Sequence, residues 1–289
     1  VSGEAKADQG TTDSVLAIKG IAGATEVDLN GRFRGDHKAW TEGDVHVSGK
    51  LASKSAKALA KLLGGSLVGP DDSPVNLSLS ATGEPQTGMA LSTDIEALGA
   101  QAQFAGRLSV DGENAAEVDG RLAILAERAQ SLYRALGLSS SELGPAAQVL
   151  SGEGALTFGK GQWSLAELSG TAAGTAYRGD LNLAVAGGRP KLGGKLTAGR
   201  LHLPWLLGLA LLPRERASDN VSVSFDREES LPADLELGLS VKQLLVLPDV
   251  VLSDADISLI KKESLLKVKA DGRNSTQAPL KLTAQFERK

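Results

Sequence analysis

The property of this sequence that most limits its fold is a strict alternation of apolar and polar residues. Val75, Leu77 and Leu79, for example, alternate with asparagine and serine. Successive side chains of a strand point to opposite faces, so each such segment predicts a strand with one apolar face and one polar face. The other clear segments are residues 181–185, 221–225, 235–241, 266–270 and 280–286. A period of two favours antiparallel strands with one solvated face over a parallel sheet buried on both faces.

A repeated phrase indicates that the sheet is built from similar units. Glycine, a basic residue and leucine occur together about every 70 residues, beginning at Gly49, Gly120 and Gly194. Another glycine-led strand precedes each phrase, beginning at Gly31, Gly106 and Gly179. Residues 31–64, 106–137 and 179–209 are therefore predicted to superpose as strand, strand and short helix. One repetitive domain, residues 1–289, contains them, with approximate repeats at 15–80, 81–150, 151–215 and 216–289.

A short helix is predicted after each phrase. In the first, Ser53 or Ser55 is the N-cap and an apolar stripe follows, formed by Ala56, Leu59, Ala60 and Leu63. In the second, the stripe is Leu125, Ala129, Leu132 and Leu136. The third begins at Pro204 and places three large residues at helical spacing, namely Trp205, Leu206 and Leu209.

The third helix belongs to a strongly apolar segment, residues 201–212. A bilayer core requires roughly 20 apolar residues, so this segment is too short to span a membrane. The helix is predicted to cap or line a groove, or to press against a bilayer surface. Ordinary packing in the core is the alternative, since a tryptophan beside a proline fits either environment.

Composition narrows the class of function. The 289 residues carry a net charge of −4, which argues against a surface for nucleic acid, and they include no cysteine, which excludes disulfides and thiolate metal sites. Glycine is abundant, at 34 residues, and the apolar residues are mostly aliphatic. The predicted helices are too few to cover the predicted strands. An apolar face of that size must curl onto itself, pack on a second sheet or hold an apolar ligand.

The sequence offers little catalytic or metal-binding chemistry. His37, His46 and His202 lie far apart in the chain and show no metal-ligand spacing. The run from Gly154 to Gly161 departs from a phosphate-binding loop at its last position and predicts a hairpin turn instead. Two acidic pairs, Asp71 with Asp72 and Asp254 with Asp256, are interpreted as a turn and as the polar side of a strand. No cofactor, metal site or enzyme activity is predicted.

One local basic patch is formed by Lys261, Lys262, Lys267 and Lys269. Lysines of this kind commonly protect strand edges from further pairing, and a contact with lipid headgroups is the alternative. A hairpin turn is predicted nearby at Asp271-Gly272, between the last two alternating segments.

Two long stretches of the sequence resemble the AsmA-like proteins of Gram-negative bacteria. They are YRGDLNLAVAGGRPKLGGKLTAGRLHL, from Tyr177, and LELGLSVKQLLVLPDVVLSDADISLIKKESLLKVKADG, from Leu235. Gly188-Arg189-Pro190 fits the turn of that family's pattern, and Ser253-Asp254-Ala255 fits its later strand. The resemblance implies a periplasmic domain whose sheet folds into a long trough with an aliphatic interior. It also implies an N-terminal inner-membrane helix, which this chain lacks and which would belong to a longer protein.

The residues and the resemblance lead to the same expectation about fold and function. The fold class is mainly β, with one large, curved, mostly antiparallel sheet of trough or taco shape. The function expected is non-enzymatic lipid handling, and the resemblance implies that it supports outer-membrane homeostasis or phospholipid transport between membranes. Phospholipid or another acyl-chain lipid is the expected partner, with a membrane surface as a further one and no nucleic acid. The alternative is a structural or adhesin-like scaffold with a closed core and no ligand.

The lipid groove is predicted from the apolar positions of three strands. The candidates are Leu181, Leu183, Val185, Val221, Val223, Phe225, Leu235, Leu237 and Leu239. If they line one concavity, their polar neighbours face water.

Overall fold

The computed structural model describes residues 2–8, 11–56, 58–59, 73–110, 115–129, 149–172, 174–186, 189–203, 234–247, 250–262 and 265–287. Strands make up nearly all of these ranges. They are β1 (Ser2–Asp8), β2 (Thr11–Ala22), β3 (Thr25–Gly35), β4 (Asp44–Ser53), β5 (Val75–Glu84), β6 (Gly88–Ala97), β7 (Ala100–Val110), β8 (Ala116–Ala126), β9 (Leu150–Gly159), β10 (Gln162–Ala172), β11 (Thr175–Ala186), β12 (Arg189–His202), β13 (Asp234–Leu247), β14 (Val250–Lys262), β15 (Leu265–Arg273) and β16 (Pro279–Glu287). A short 3₁₀ helix, His37–Glu42, lies between β3 and β4.

All of these strands belong to one 16-stranded sheet, and their order in the sheet is their order in the chain. Every neighbouring pair is antiparallel except β12 and β13, which run parallel. A parallel pair requires a connection that returns to the starting end of the sheet, and here that connection begins after His202 and ends before Asp234. The prediction of a mainly β chain with a large, mostly antiparallel sheet is confirmed.

The strands are paired so that their residues form straight rows across the sheet. One row consists of Leu29, Gly49, Leu79, Thr93, Phe104 and Leu122, from β3 to β8. Directly opposed residues share a face, so the apolar positions of all these strands fall on the same side. We call this side the apolar face, defined by Leu29, Leu79, Leu181 and Leu259, and the other side the polar face.

Ion pairs between neighbouring strands lie on the polar face. Lys191 Nζ of β12 is 2.7 Å from a carboxylate oxygen of Glu236 on β13. Arg32 Nη2 of β3 is 2.9 Å from Asp13 Oδ2 of β2. The Lys191 hydrogen bond lowers the pKa of Glu236, and the same contact raises the pKa of Lys191. These pairs are solvent-exposed, so they fix strand register more than they stabilise the fold.

The deepest packing lies at the C-terminal side of the sheet. Leu244, Leu252 and Leu259 are completely buried, and Ile257 and Val268 are nearly so. They form one cluster with apolar residues of β12, β15 and β16. This cluster is the main core of the described residues.

The three Gly-basic-Leu phrases occupy corresponding places in the strand order, since they lie in β4, β8 and β12. These strands run in the same direction, and each is followed by a long connection. We call the end of the sheet where β4, β8 and β12 finish the connection end. At this end Ser55 Oγ accepts a hydrogen bond from the Ala58 N–H at 3.1 Å, as an N-cap does at the start of a helix.

Two local sequence predictions are wrong. The apolar stripe places Leu125 in the second helix, but it lies in β8, where it pairs with Gln101 and Ser151. Asp271-Gly272 does not form a turn, because both residues pair with β16. The chain reverses after Asn274, whose Oδ1 accepts hydrogen bonds from the N–H groups of Thr276 and Ala278 at 2.9 and 3.0 Å. Pairing along the full strand and a side-chain-supported turn therefore override the local signals.

Candidate functional site

The apolar face is continuous across the sheet. From β2 to β16, nearly all of its described positions carry aliphatic or aromatic residues or glycine. A few serines and threonines interrupt it, such as Thr93 in β6 and Ser53 at the connection end. Lys261 is the one charged residue among the described positions of this face, and it is 6% exposed. Such a surface can hold apolar ligands but offers few polar groups to orient them.

The structure brings five of the predicted groove residues together. Leu181 of β11 and Leu237 of β13 lie in one row, because both align with Gly194 of the intervening β12. Leu183 and Leu235 lie together in the next row, because both align with Leu192 of β12. Leu239 lies in the row on the other side of Leu237, where it aligns with Leu196, and the backbone of Val185 continues β11. The other candidates lie outside the described residues: Val221, Val223, Phe225, Trp205, Leu206 and Leu209.

Burial along the apolar face is uneven. At β13 to β15 its side chains form the core cluster, whereas from β3 to β12 most of them are half-buried. Leu183 of β11 is 37% exposed, and Leu16 of β2 and Trp163 of β10 are also exposed. Among the described elements, extensive contacts join neighbouring strands only. Small clusters around Ala56, Leu59 and Ala129 pack on the connection end of this face.

Glycines on the apolar face lie beneath large side chains of the same strand or of a nearby strand. A Cβ added to Gly152 would lie 2.5 Å from the Tyr177 hydroxyl, and one added to Gly106 or Gly120 would lie 2.7 Å from the Phe104 ring. The large side chains therefore lie flat along the sheet. Sequence reasoning missed this pairing of glycines with large residues, although the recurrence of glycine at matched positions of the repeat was a signal for it.

The glycines also allow neighbouring backbones to approach closely. Gly106 of β7 faces Gly120 of β8, and a Cβ added to either would lie within 2.6 Å of the other's Cα. Gly152 and Gly170 form a similar pair between β9 and β10. A Cβ added to Gly170 would lie 2.7 Å from the Cα of Gly152. Any side chain at these positions would force the strands apart on the apolar side.

Tyr177 supplies a polar group at the edge of the apolar face. Its hydroxyl donates a hydrogen bond to the backbone oxygen of Ser151, at 2.9 Å across two strands. Burial raises the pKa of Tyr177 above its usual value, because the charged form loses hydration. The residue therefore ties three strands together in its neutral form.

The polar face carries a shallow cavity of about 440 Å³ over β3 to β6. Its wall is made of short hydroxyl side chains and a few charged ones, including Ser48, Ser80, Lys50 and Asp94. These residues are half-buried or exposed to solvent, as expected on the hydrated side of a strand. No buried polar group points to a ligand there among the described residues.

The structure separates the predicted lysine patch. Lys262, Lys267 and Lys269 lie on the polar face, whereas Lys261 lies on the apolar face opposite Leu235 and Leu266. The prediction of one local patch is therefore wrong, because consecutive strand residues point to opposite sides. The run that resembles a phosphate loop is a hairpin turn, as predicted, with Lys160 and Gly161 between β9 and β10 at positive φ.

The described ranges contain neither a cluster of metal-ligating side chains nor a helix that could span a membrane. No group of three or more His, Asp or Glu side chains there could hold a metal ion. No helix in the described part of the chain is long and apolar enough to cross a membrane. Asp256 lies on the polar face of β14, where it accepts a hydrogen bond from the Ser240 hydroxyl.

No protein-family model, curated protein or solved structure matches this chain.

Proposed function

We propose that this chain handles lipids without catalysing a reaction, and that its apolar face holds the acyl chains. The observation that carries the proposal is the continuity of this face from β2 to β12, where its side chains are half-buried and the opposite face is polar. An exposed apolar surface of this extent is unfavourable in water and is typical of a binding surface. The resemblance to AsmA-like proteins extends the proposal to the periplasm and to phospholipid transport or outer-membrane homeostasis.

The proposal includes a trough whose interior is the apolar face. The close approach of Gly106 to Gly120 and of Gly152 to Gly170 supports it, since side-chain positions that converge on one face bend the sheet toward that face. The similar placement of the Gly-basic-Leu phrases in β4, β8 and β12 supports construction from repeated units. Four strands would then make one unit.

The apolar face is wide enough across its strands to hold more than one acyl chain. Neighbouring strands lie about 4.8 Å apart, so sixteen of them extend over roughly 70 Å. Each methylene group removed from water contributes about 0.8 kcal/mol. Aliphatic side chains that lie flat beside glycines provide a smooth wall, on which an acyl chain can shift by one row without losing contact. That property fits transport better than tight retention.

The test introduces a charge at the exposed part of the apolar face. Leu183→Asp places a carboxylate where an acyl chain would lie, so capture of a photoreactive phospholipid should fall at least several-fold. Asn182→Asp is the matched control, because the neighbouring residue lies on the polar face of the same strand. Native mass spectrometry of the purified wild type should show phospholipid carried through purification.

Thermal melting of the same variants separates the proposal from its alternative. At an open groove the introduced carboxylate stays hydrated, and the melting temperature should change little. If Leu183→Asp unfolds the domain and the wild type captures no lipid, the chain is a structural scaffold with a closed core. The full burial of Leu244, Leu252 and Leu259 favours that alternative for the C-terminal side of the sheet.

A further inference from the structure

The hairpin formed by β13 and β14 is apolar on both faces at its tip. The tip consists of residues 245–247 and 250–251, all of which are leucine or valine. Leu247 is 60% exposed, and Val250 and Val251 are also exposed to solvent. The turn residues 248–249 lie outside the described ranges. Elsewhere in these two strands one face is mostly polar, with Ile260 as an exception, so the tip departs from the alternation that defines the rest of the sheet.

A change in the strand pattern marks where the tip begins. Val241 and Leu244 are both buried in the core cluster although they are three positions apart and should point to opposite faces of a regular strand, and the same holds for Leu252 and Ala255. Asp254, between the latter two, has a positive φ of 47°. Beyond this irregularity Leu245 of β13 pairs with Val251 of β14. Both lie on the polar face, where the preceding parts of the two strands carry mostly polar side chains. The buried leucines anchor the hairpin, and the residues beyond them extend into solvent.

Basic side chains surround the base of the tip on the polar face. Lys242 and Arg200 are exposed at this level, and Arg200 Nε donates a hydrogen bond to Gln243 Oε1 at 3.3 Å. Arg273 of β15 pairs with Ser253 and is also exposed. Asp254 is an acidic residue at the same level, and the sequence has a further one, Asp249, between the two strands, outside the described ranges. An apolar tip above a mainly basic ring matches the profile of a bilayer interface with anionic headgroups.

Other exposed apolar residues lie at the same end of the sheet. The hairpin tip is at the connection end, and Ile21 at the finish of β2, Leu125 near the finish of β8 and Val149 before β9 are there too. A bilayer surface could contact several of these residues at once, whereas a small ligand could contact few of them.

We infer that the connection end of the sheet docks on the surface of an anionic lipid bilayer, with the hairpin tip inserted at the level of the headgroups. Insertion removes Leu247, Val250 and Val251 from water, and the nearby basic residues attract the lipid phosphates. This inference goes beyond the proposed function, because docking does not require that the apolar face carry lipid. The partner assigned to the tip is a bilayer surface, which the alternation of the strands alone does not indicate.

The first test uses a fluorescent label, which the absence of native cysteine makes specific. Leu247→Cys in the full chain is labelled with an environment-sensitive dye, and Ser258→Cys on the polar face of β14 is the matched control. On addition of vesicles of phosphatidylcholine and phosphatidylglycerol, the label at position 247 should shift to the blue and the label at 258 should not. An unchanged spectrum at 247, or equal shifts at both positions, would overturn the inference.

The second test measures binding by vesicle flotation. Leu247→Asp combined with Val251→Asp should weaken binding roughly tenfold or more, since two apolar side chains no longer enter the interface. Pure phosphatidylcholine vesicles and high salt should both weaken binding of the wild type. Wild-type affinity in the double variant contradicts the inference. The inference is also contradicted if the wild type forms a dimer that does not float with vesicles and that the double substitution dissociates. A second copy of the chain would then be the partner of the tip. Lipid capture at Leu183 should persist in the double variant, which separates this test from that of the proposed function.

Discussion

Single glycines decide how closely the strands of this sheet approach each other. At Gly106 and Gly120 the two Cα atoms leave no room for a side chain on the apolar face, and the Phe104 ring covers both positions. Glycine within a strand usually weakens it, because it offers no side chain for packing. Here the neighbouring aromatic ring replaces the missing contacts, so the glycines combine close approach with a covered backbone.

Gly106→Ala should lower the free energy of unfolding by about 1–3 kcal/mol, because the added methyl group overlaps the backbone of β8. Gly20→Ala is the control, since a Cβ at Gly20 has no neighbour within 4 Å. The control should be neutral or slightly stabilising, because alanine restricts the unfolded chain. Urea unfolding of both variants measures the difference. Equal effects would show that β7 and β8 can separate without cost.

Tyr177→Phe should lower the free energy of unfolding at neutral pH by about 1 kcal/mol, through loss of the hydrogen bond to Ser151. Burial raises the pKa of Tyr177 above 10.0, so the folded state holds this proton more tightly than the unfolded state. The contribution is therefore complete below the unfolded pKa and is lost as pH rises through the folded pKa. The wild type should lose more stability than the variant in that alkaline range. Denaturant unfolding at a series of pH values measures it, and parallel curves would contradict the assignment.

At the scale of elements, alternation predicted the strands well because it reflects the geometry of a pleated sheet. Residues 75–79, 181–185 and 235–241 all lie in strands with their apolar positions on one face. Helical spacing was less reliable at Leu125, where the stripe overlaps the end of β8. A stripe of leucines suits a buried helix and a buried strand equally, and only pairing with β7 and β9 decides between them.

The groove residues could be predicted in part for the same reason. Alternation placed Leu181, Leu183, Leu235 and Leu237 on one face of their strands, but it could not reveal that β12 lies between those strands in register. The parallel alignment of β12 with β13 depends on a connection that no local pattern describes. The exposed hairpin tip escaped prediction because its leucines and valines resemble an ordinary buried strand. Superposition of the repeats, including their helices, remains a prediction.

Two leucines on different strands should show which part of the sheet forms a closed core. Leu259→Ala in β14 should lower the free energy of unfolding by about 2–5 kcal/mol, because that residue is 1% exposed and its removal leaves a cavity. Leu183→Ala in β11 should cost less than about 1 kcal/mol, because its side chain already contacts water. Urea unfolding provides both values. A large loss at Leu183 would mean that β11 is as closed as β14, against a groove in that region.

The whole molecule exposes more surface than a compact protein of its size. Its accessible area is 18442 Å², whereas a compact monomer of 29.8 kDa exposes about 11,600 Å². Among the described elements, a single sheet whose extensive contacts join only sequential neighbours contributes to this difference. The sequence could not indicate this, since the same alternation also fits two packed sheets. The excess area is the physical basis for expecting lipid on the apolar face.

The excess area leads to a prediction about unfolding of the lipid-free chain. An unfolded chain of this mass exposes about 43,000 Å², so unfolding should expose roughly 25,000 Å² rather than the roughly 32,000 Å² of a compact protein. The urea m-value scales with this area and should be about four-fifths of that of a compact protein of equal length. The heat-capacity change of unfolding should be reduced as well, because less apolar surface is newly hydrated. Denaturant unfolding and calorimetry, with a two-sheet protein of similar length as the reference, measure both quantities. Values equal to the reference would show that the lipid-free chain closes its apolar face in solution, and the proposed groove would then have to open before it could accept lipid.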